Sequence, residues 1–269
     1  MKKAKQGAVP VPKKNLWKQI AKHWEFYVLL LPGIILTIIF KYVPMYGVQI
    51  AFRDYNPVGG FFGSPWVGLK WFERFFNNYN SMRMIKNTVV LSLYSILWTF
   101  PIPIILALLI NQVKWKKFQR VSQTILYAPH FISTMILCGM LRIFLSPYGG
   151  LISTIIQAFG GKATNLIDSA TAFRTIYISS SVWQDAGWGT IIYIATLSSV
   201  DASLHEAARV DGATPLQRIF YIDIPELIPV IVIQLIMSFG NLMNVGFEKA
   251  YLLQTSLNKA TSEIIATRS

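Results

Sequence analysis

Five apolar runs, each near the roughly 20 residues that a helix needs to cross a bilayer, occupy most of this 269-residue chain and leave few folds open to it. They extend from about Phe26 to Tyr46, Thr88 to Ile110, Val121 to Leu141, Thr175 to Val200 and Leu227 to Phe247. In lipid an unpaired backbone group is so costly that each run is expected to be a helix. The fold class that follows is all-α, a polytopic transmembrane helical bundle with about five spans. Composition agrees. Hydrophobic residues make up 53% and charged residues 14% of the chain, against roughly 25% charged in a soluble domain.

The formal net charge of +13 invites a nucleic-acid reading, but the placement of the charge argues against it. Seven lysines, from Lys2 to Lys22, precede the first apolar run, and Lys114, Lys116, Lys117 and Arg120 fill one short connector. Basic residues beside apolar spans mark cytoplasmic flanks. Residues 1–25 therefore read as a basic cytoplasmic lead, disordered around Pro10 and Pro12, and 26–269 as the membrane domain. With the N-terminus inside, the Lys114–Arg120 connector and the segment from Asp201 to Glu226 are also inside. The first external loop runs against this count, because five basic residues there outnumber Asp54 and Glu73. The same loop holds nine aromatics between Tyr55 and Tyr79. They suit an interfacial belt, a docking surface or platforms for sugar rings.

Several classes of chemistry have no residues to support them. Cys138 is the only cysteine and lies in an apolar run, and His23, His130 and His205 lack metal-ligand spacing. No acid/base or nucleophile constellation is visible. Gly160-Gly161-Lys162-Ala163 lacks the first glycine and the hydroxyl residue of a phosphate-binding loop. No cofactor is expected on this chain. If ATP supplies the energy, another chain must bind it.

The connector between the fourth and fifth runs carries the most local information. Ser203 followed by Glu206 predicts a capping box, with a helix starting near Leu204. Gly212 suits the left-handed position that closes it. Thr214 with Gln217 predicts a second box, and Pro215 suits the first position of a second short helix. The connector has five acidic and two basic residues, a poor match to an anionic leaflet. Ala207 and Ala208 leave room for the close approach of another protein.

Glu206-Ala207-Ala208, then Gly212, then Ile222-Asp223-Ile224-Pro225 resembles the EAA loop of ABC importer permeases, with Ile224 where leucine is commoner. Other stretches resemble the polysaccharide-type sugar permeases of that class. Among them are Phe40-Lys-Tyr-Val-Pro-Met-Tyr-Gly47, Tyr127-Ala-Pro-His-Phe-Ile-Ser133 and Trp183-Gln-Asp-Ala-Gly-Trp-Gly189. The resemblance covers about Phe26 to Thr267. It implies a multi-pass subunit of the bacterial plasma membrane forming half of a carbohydrate pathway. Residues 201–225 would be the coupling loop that seats in an ATPase, with Glu206, Ala207, Ala208, Gly212, Ile222 and Pro225 as its signature. It also implies a second permease subunit, cytoplasmic ATPase subunits that bind the ATP, and an extracellular solute-binding protein. A permease for peptides or amino acids, and a non-transporting truncated subunit, remain alternatives. Family members usually have a sixth span after Thr261–Thr267; a five-span chain is expected to assemble less well.

Candidate pathway residues follow from polarity within the spans. Asp185 is the only charge in the fourth run, where ionisable residues usually face an interior or a watery cavity. A structural pair with Arg142 is equally open. Trp183 and Trp188 flank Asp185 and suit either sugar stacking or interfacial anchoring. Pro129, His130, Gly240, Asn241 and Asn244 are softer candidates.

Overall fold

A computed structural model describes residues 22–162, 165–243 and 246–267. Most of the basic lead, from Lys2 to Lys18, and Asn244 lie outside the described residues. The chain divides into two units, Met1–Asn77 and Asn78–Ser269.

In the first unit, helix α1 (Trp24–Thr37) runs on through a wide π turn at Ile38–Tyr42 and a tight 3-10 stretch at Tyr46–Phe52. The result is a continuous helical segment of 29 residues, Trp24–Phe52, apolar enough to cross a membrane. Beyond it, several loop aromatics hold the loop itself together. Phe52 stacks on Trp66 with ring centroids 5.5 Å apart, and Phe52 also meets Phe72. Arg53 donates to the carbonyls of Phe61 and Ser64 at 2.8 and 2.9 Å. The Trp71 indole donates to the Arg53 carbonyl. Tyr55 also packs on Phe61.

The second unit opens with α2 (Tyr79–Thr99) and α3 (Pro101–Asn111), which follow on as one 33-residue apolar segment. It starts nine residues ahead of the expected Thr88, because Asn78 caps it by accepting from the Asn80 amide. Next come α4 (Lys116–Tyr127), a 3-10 turn at Ala128–Phe131 and α5 (Thr134–Phe144). The third expected span, Val121–Leu141, is therefore broken rather than straight, with a bend of 94°. Pro129 removes a backbone donor, and Ser133 takes extended backbone angles and caps α5 by accepting from the Ile136 amide.

Helix α6 (Ala170–Ser198) has 29 residues and is the hub of this unit. It packs against α2, α3, α4, the Ala128–Phe131 turn and the later helices Ile224–Gly240, Phe247–Leu253 and Lys259–Ser262. By length and composition, three described helices could cross a membrane, or four if the bent pair counts as one. Helix α6, expected as a span over Thr175–Val200, is long enough but too polar to be among them. Most of its hydroxyls are satisfied by its own backbone. Ser180, Ser181, Thr190, Thr196 and Ser198 donate to carbonyls one turn back, and Gln184 reaches the Ile132 carbonyl at 2.8 Å. Hydroxyls that bond the helix's own backbone, and an amide that reaches a neighbour, let a central helix carry more polarity than one facing lipid.

Close packing at Gly187 lets α6 approach α4: an added Cβ there would overlap the backbone carbonyl of Leu126. Gly187→Ala is expected to lower stability by about 1–3 kcal/mol. Gly139→Ala on α5, where a Cβ meets nothing within 4 Å, should be neutral in the same thermal assay. Equal melting of the two variants would contradict this packing.

A short helix at Leu151–Ala158 precedes α6, and after α6 come α7 (Ala202–Val210), α8 (Pro215–Arg218), a π turn at Ile219–Asp223, α9 (Ile224–Gly240), α10 (Phe247–Leu253), α11 (Lys259–Ser262) and a 3-10 turn at Ile265–Thr267. From Pro215 to Gly240 the helix is continuous, 26 residues long. Two expectations change here. The second connector helix does not end before the fifth span but runs into it, and that span stops at Gly240 rather than at Phe247. The π turn lies just ahead of Pro225, whose ring and missing N–H an ordinary α turn would not accommodate.

Candidate functional sites on the connector and the central helix

The connector folds from local rules, with one change from expectation. Helix α7 starts at Ala202, not near Leu204, because Asp201 takes the cap position and accepts from the Ser203 amide at 2.9 Å. That bond holds the Asp201 carboxyl below the usual carboxylate range. Ser203 and Glu206 therefore lie within the helix rather than framing its start. The far end follows expectation. Gly212 has φ +79°, and the Ala213 amide donates to the Ala208 carbonyl at 2.8 Å, as a Schellman closure requires. The Thr214–Gln217 box is complete in both directions, with Pro215 in the first turn.

Glu206 and Ala207 are exposed on α7, Ala208 is half-buried, Ile222 is half-buried in the π turn and Pro225 is exposed at the start of α9. Leu204, Val210, Leu216, Phe220 and Tyr221 are exposed around them. The connector thus presents an apolar face edged by carboxylates.

Beneath it lies an anchor that the sequence did not single out. Asp223 is completely buried. Its Oδ2 accepts from Gln112 Nε2 at 3.0 Å, and its Oδ1 lies 3.3 Å from His205 Nε2. One carboxylate therefore ties α7, the C-terminal end of α3 and the start of α9. The available signal was a single charge set among Ile219, Phe220, Ile222 and Ile224.

On α6, the bend at Pro129 brings His130 beside Asp185, with Nδ1 2.9 Å from Oδ1. The His130 ring stacks on Trp188 at 4.5 Å and 8°, and Phe131 meets the same indole edge-on. Trp188 is partly exposed and lines a cavity of about 530 Å3 with Thr99, Phe100, Tyr193, Gln234 and Ser238. Asp185 thus pairs with His130. The alternative pair with Arg142 does not form, since the Arg142 guanidinium donates to the Leu252 carbonyl.

Trp183 is separate from this cluster and borders an apolar cavity with Leu137, Met140 and Phe144. Asn241 donates back to the Met237 carbonyl at 3.1 Å and borders a small cavity of about 130 Å3 with Ser92, Tyr177 and Ser238. Lys249, also not anticipated, is buried, donates to Ser181 Oγ at 2.7 Å and lies 5.2 Å from the Tyr177 ring. Tyr177, Ser181 and Asp185 recur every four residues and so share one face of α6. Among the described residues no cluster could hold a metal ion, and Cys138 is buried in the core with Leu91, Phe173 and Tyr177.

Several apolar helices long enough to cross a membrane, together with a hub helix whose partly open face carries the His130–Asp185 pair and Trp188, define a multi-pass membrane protein. The chain belongs to the family of binding-protein-dependent transport system inner membrane components, whose pattern residues 78–265 match. It is 42% identical over 255 residues to the polygalacturonan/rhamnogalacturonan transport system permease protein YteP of Bacillus subtilis (strain 168), covering 95% of this chain and 79% of that one. Protein LplB of the same organism is 40% identical over 241 residues, covering 90% and 76%. Among solved structures, a bacterial ABC transporter involved in the import of the acidic polysaccharide alginate matches with a TM-score of 0.86 and 40% identity. That match covers 94% of this chain and 85% of the other.

Proposed function

We propose that this chain is a permease subunit of an ATP-driven importer of carbohydrates, forming half of the translocation pathway beside a second permease subunit. The observation that carries the reading is the connector. Its helix bearing Glu206, Ala207 and Ala208 is closed by Gly212 at φ +79°, and directly after that tight turn begins the membrane-length helix Pro215–Gly240. A push on that surface by a cytoplasmic ATPase is delivered to the fifth span through a single tight turn, residues 211–214. ATP binding falls to the ATPase subunits, and delivery of solute to an extracellular binding protein. Residues 201–225 act as the coupling loop. The named systems of the relatives, for polygalacturonan/rhamnogalacturonan and for alginate, support an oligosaccharide or polysaccharide fragment as the solute.

Along the pathway, Trp188 offers a face for a sugar ring and Asp185 accepts hydroxyl hydrogens, with His130 holding the carboxylate in place. Asn241 supplies a further amide where it borders the smaller cavity. Uptake of labelled oligosaccharide by cells carrying the whole importer tests this. Trp188→Ala is expected to lower uptake about tenfold at subsaturating solute, the loss of one good stacking contact. Trp183→Ala, away from the Asp185 cluster, should change it less than about twofold. Uptake of peptides or amino acids instead, or equal effects at the two tryptophans, would reject the assignment.

A further inference from the structure

We infer that the cavity enclosed between the connector and the end of α3 is a binding site for a phosphate-bearing anion, supplied by the headgroup of an acidic inner-leaflet lipid. Its volume is about 580 Å3, and its walls include Lys114, Lys116, His205, Arg209, Arg218 and Gln112. No carboxylate lines it. Four of the connector's five acids, Asp201, Glu206, Asp211 and Glu226, are exposed elsewhere, and the fifth, Asp223, is turned beneath the cavity toward His205 and Gln112.

By composition the connector is acidic and should avoid an anionic leaflet. The fold reverses this locally. It sends both arginines of the connector into one recess and adds two lysines from the α3–α4 connector, 90 or more residues away in the chain. Among the described residues none of these four cations has an ion-pair partner. Arg218 Nε is buried without a hydrogen-bond partner among them. Like charges converging on one space repel, and an anion there relieves the repulsion. Arginine and lysine together suit a phosphate group, the first through its planar fork and the second as a point charge. A basic pocket between membrane helices on the cytoplasmic side is the usual setting for an anionic headgroup. Val200 and Ala202 in the same lining suit the glycerol and first acyl carbons better than free phosphate. The site does not depend on what the subunit transports.

The test uses the full chain purified with its importer partners in a zwitterionic detergent. Phosphatidylglycerol or phosphatidylcholine is added at equal amounts and retained lipid is counted by native mass spectrometry. Phosphatidylglycerol is expected to be retained at least tenfold over phosphatidylcholine. Arg209→Gln with Arg218→Gln should erase that preference, about a tenfold loss or more, whereas Arg209→Lys with Arg218→Lys should keep most of it. Lys117→Gln, outside the cavity, should have no effect. If the glutamine pair fails to fold, Lys114→Gln with Lys116→Gln removes the same charge from the opposite wall and should read the same. Displacement of the lipid by millimolar inorganic phosphate would support the site with free phosphate as its source, and no displacement supports the headgroup. Equal retention of the two lipids overturns the proposal. So does a charge-neutral pair that keeps its lipid but loses the ATPase subunits, which would make the cavity a protein interface.

Discussion

Gly212→Val is expected to cut uptake at least tenfold while leaving the subunit in the membrane at its normal level. An added Cβ at Gly212 meets nothing within 4 Å, so the substitution causes no clash and acts on the backbone alone. At φ +79° a β-branched side chain is strongly disfavoured, by about 2 kcal/mol. That shifts the balance between the closed and opened turn by roughly thirtyfold. The turn sets the angle between α7 and the helix from Pro215 to Gly240. Opening it separates the surface that receives an ATPase from the helix that crosses the membrane. Insertion rests on the apolar segments and should be untouched. Hydrolysis and uptake measured in the same vesicles give the decisive ratio: solute moved per ATP should fall. Gly212→Asn, whose side chain tolerates the left-handed region, should retain most coupling. An unchanged ratio in the valine variant would rule out the turn as a mechanical element.

Asp223→Ala is expected to be the most damaging single change at the connector, costing about 3–5 kcal/mol. The carboxylate is wholly buried and meets Gln112 and His205 from two other elements. Removing it leaves Gln112 and His205 without their shared acceptor and opens a gap beneath the basic cavity. Stability in detergent should drop sharply, and coupling should drop with it, because α7 loses its tie to the end of α3. Asp223→Asn keeps an acceptor for Gln112 and should recover the fold. A double-mutant cycle with Gln112→Ala isolates the shared bond from the general cost of a cavity. Additive losses in that cycle would mean that the two side chains act independently.

Much of the connector was legible beforehand because its determinants are local. Gly212 needs only its own missing Cβ, and the Thr214–Gln217 box needs residues three apart. Even so, Asp201 displaced Ser203 as the first cap, since a helix that starts at Ala202 takes Ser203 into its first turn, where its backbone is already helical. The spans were legible as apolar runs, but their ends moved with caps and prolines. Asn78 lengthened the second, Pro129 and Ser133 split the third, and Pro215 extended the fifth backwards. Helix α6 was legible as a run although its polarity makes it a poor span by composition, since most of its hydroxyls bond its own backbone; Gln184 takes a distant partner, the Ile132 carbonyl.

By itself the sequence determined the solvent and the local stops: long apolar runs require lipid, and glycine, proline and cap residues act on the backbone within one turn. Only the tertiary structure decided the partners of the charges. His130 and Asp185 are 55 residues apart and Gln112 and Asp223 are 111 apart, and no local pattern selects one such pair over another. From the sequence Arg142 was the partner considered for Asp185; the bend at Pro129 puts His130 there instead. A charge in a low-dielectric interior is governed by whatever lies within a few ångströms, and that distance is set by how the helices pack.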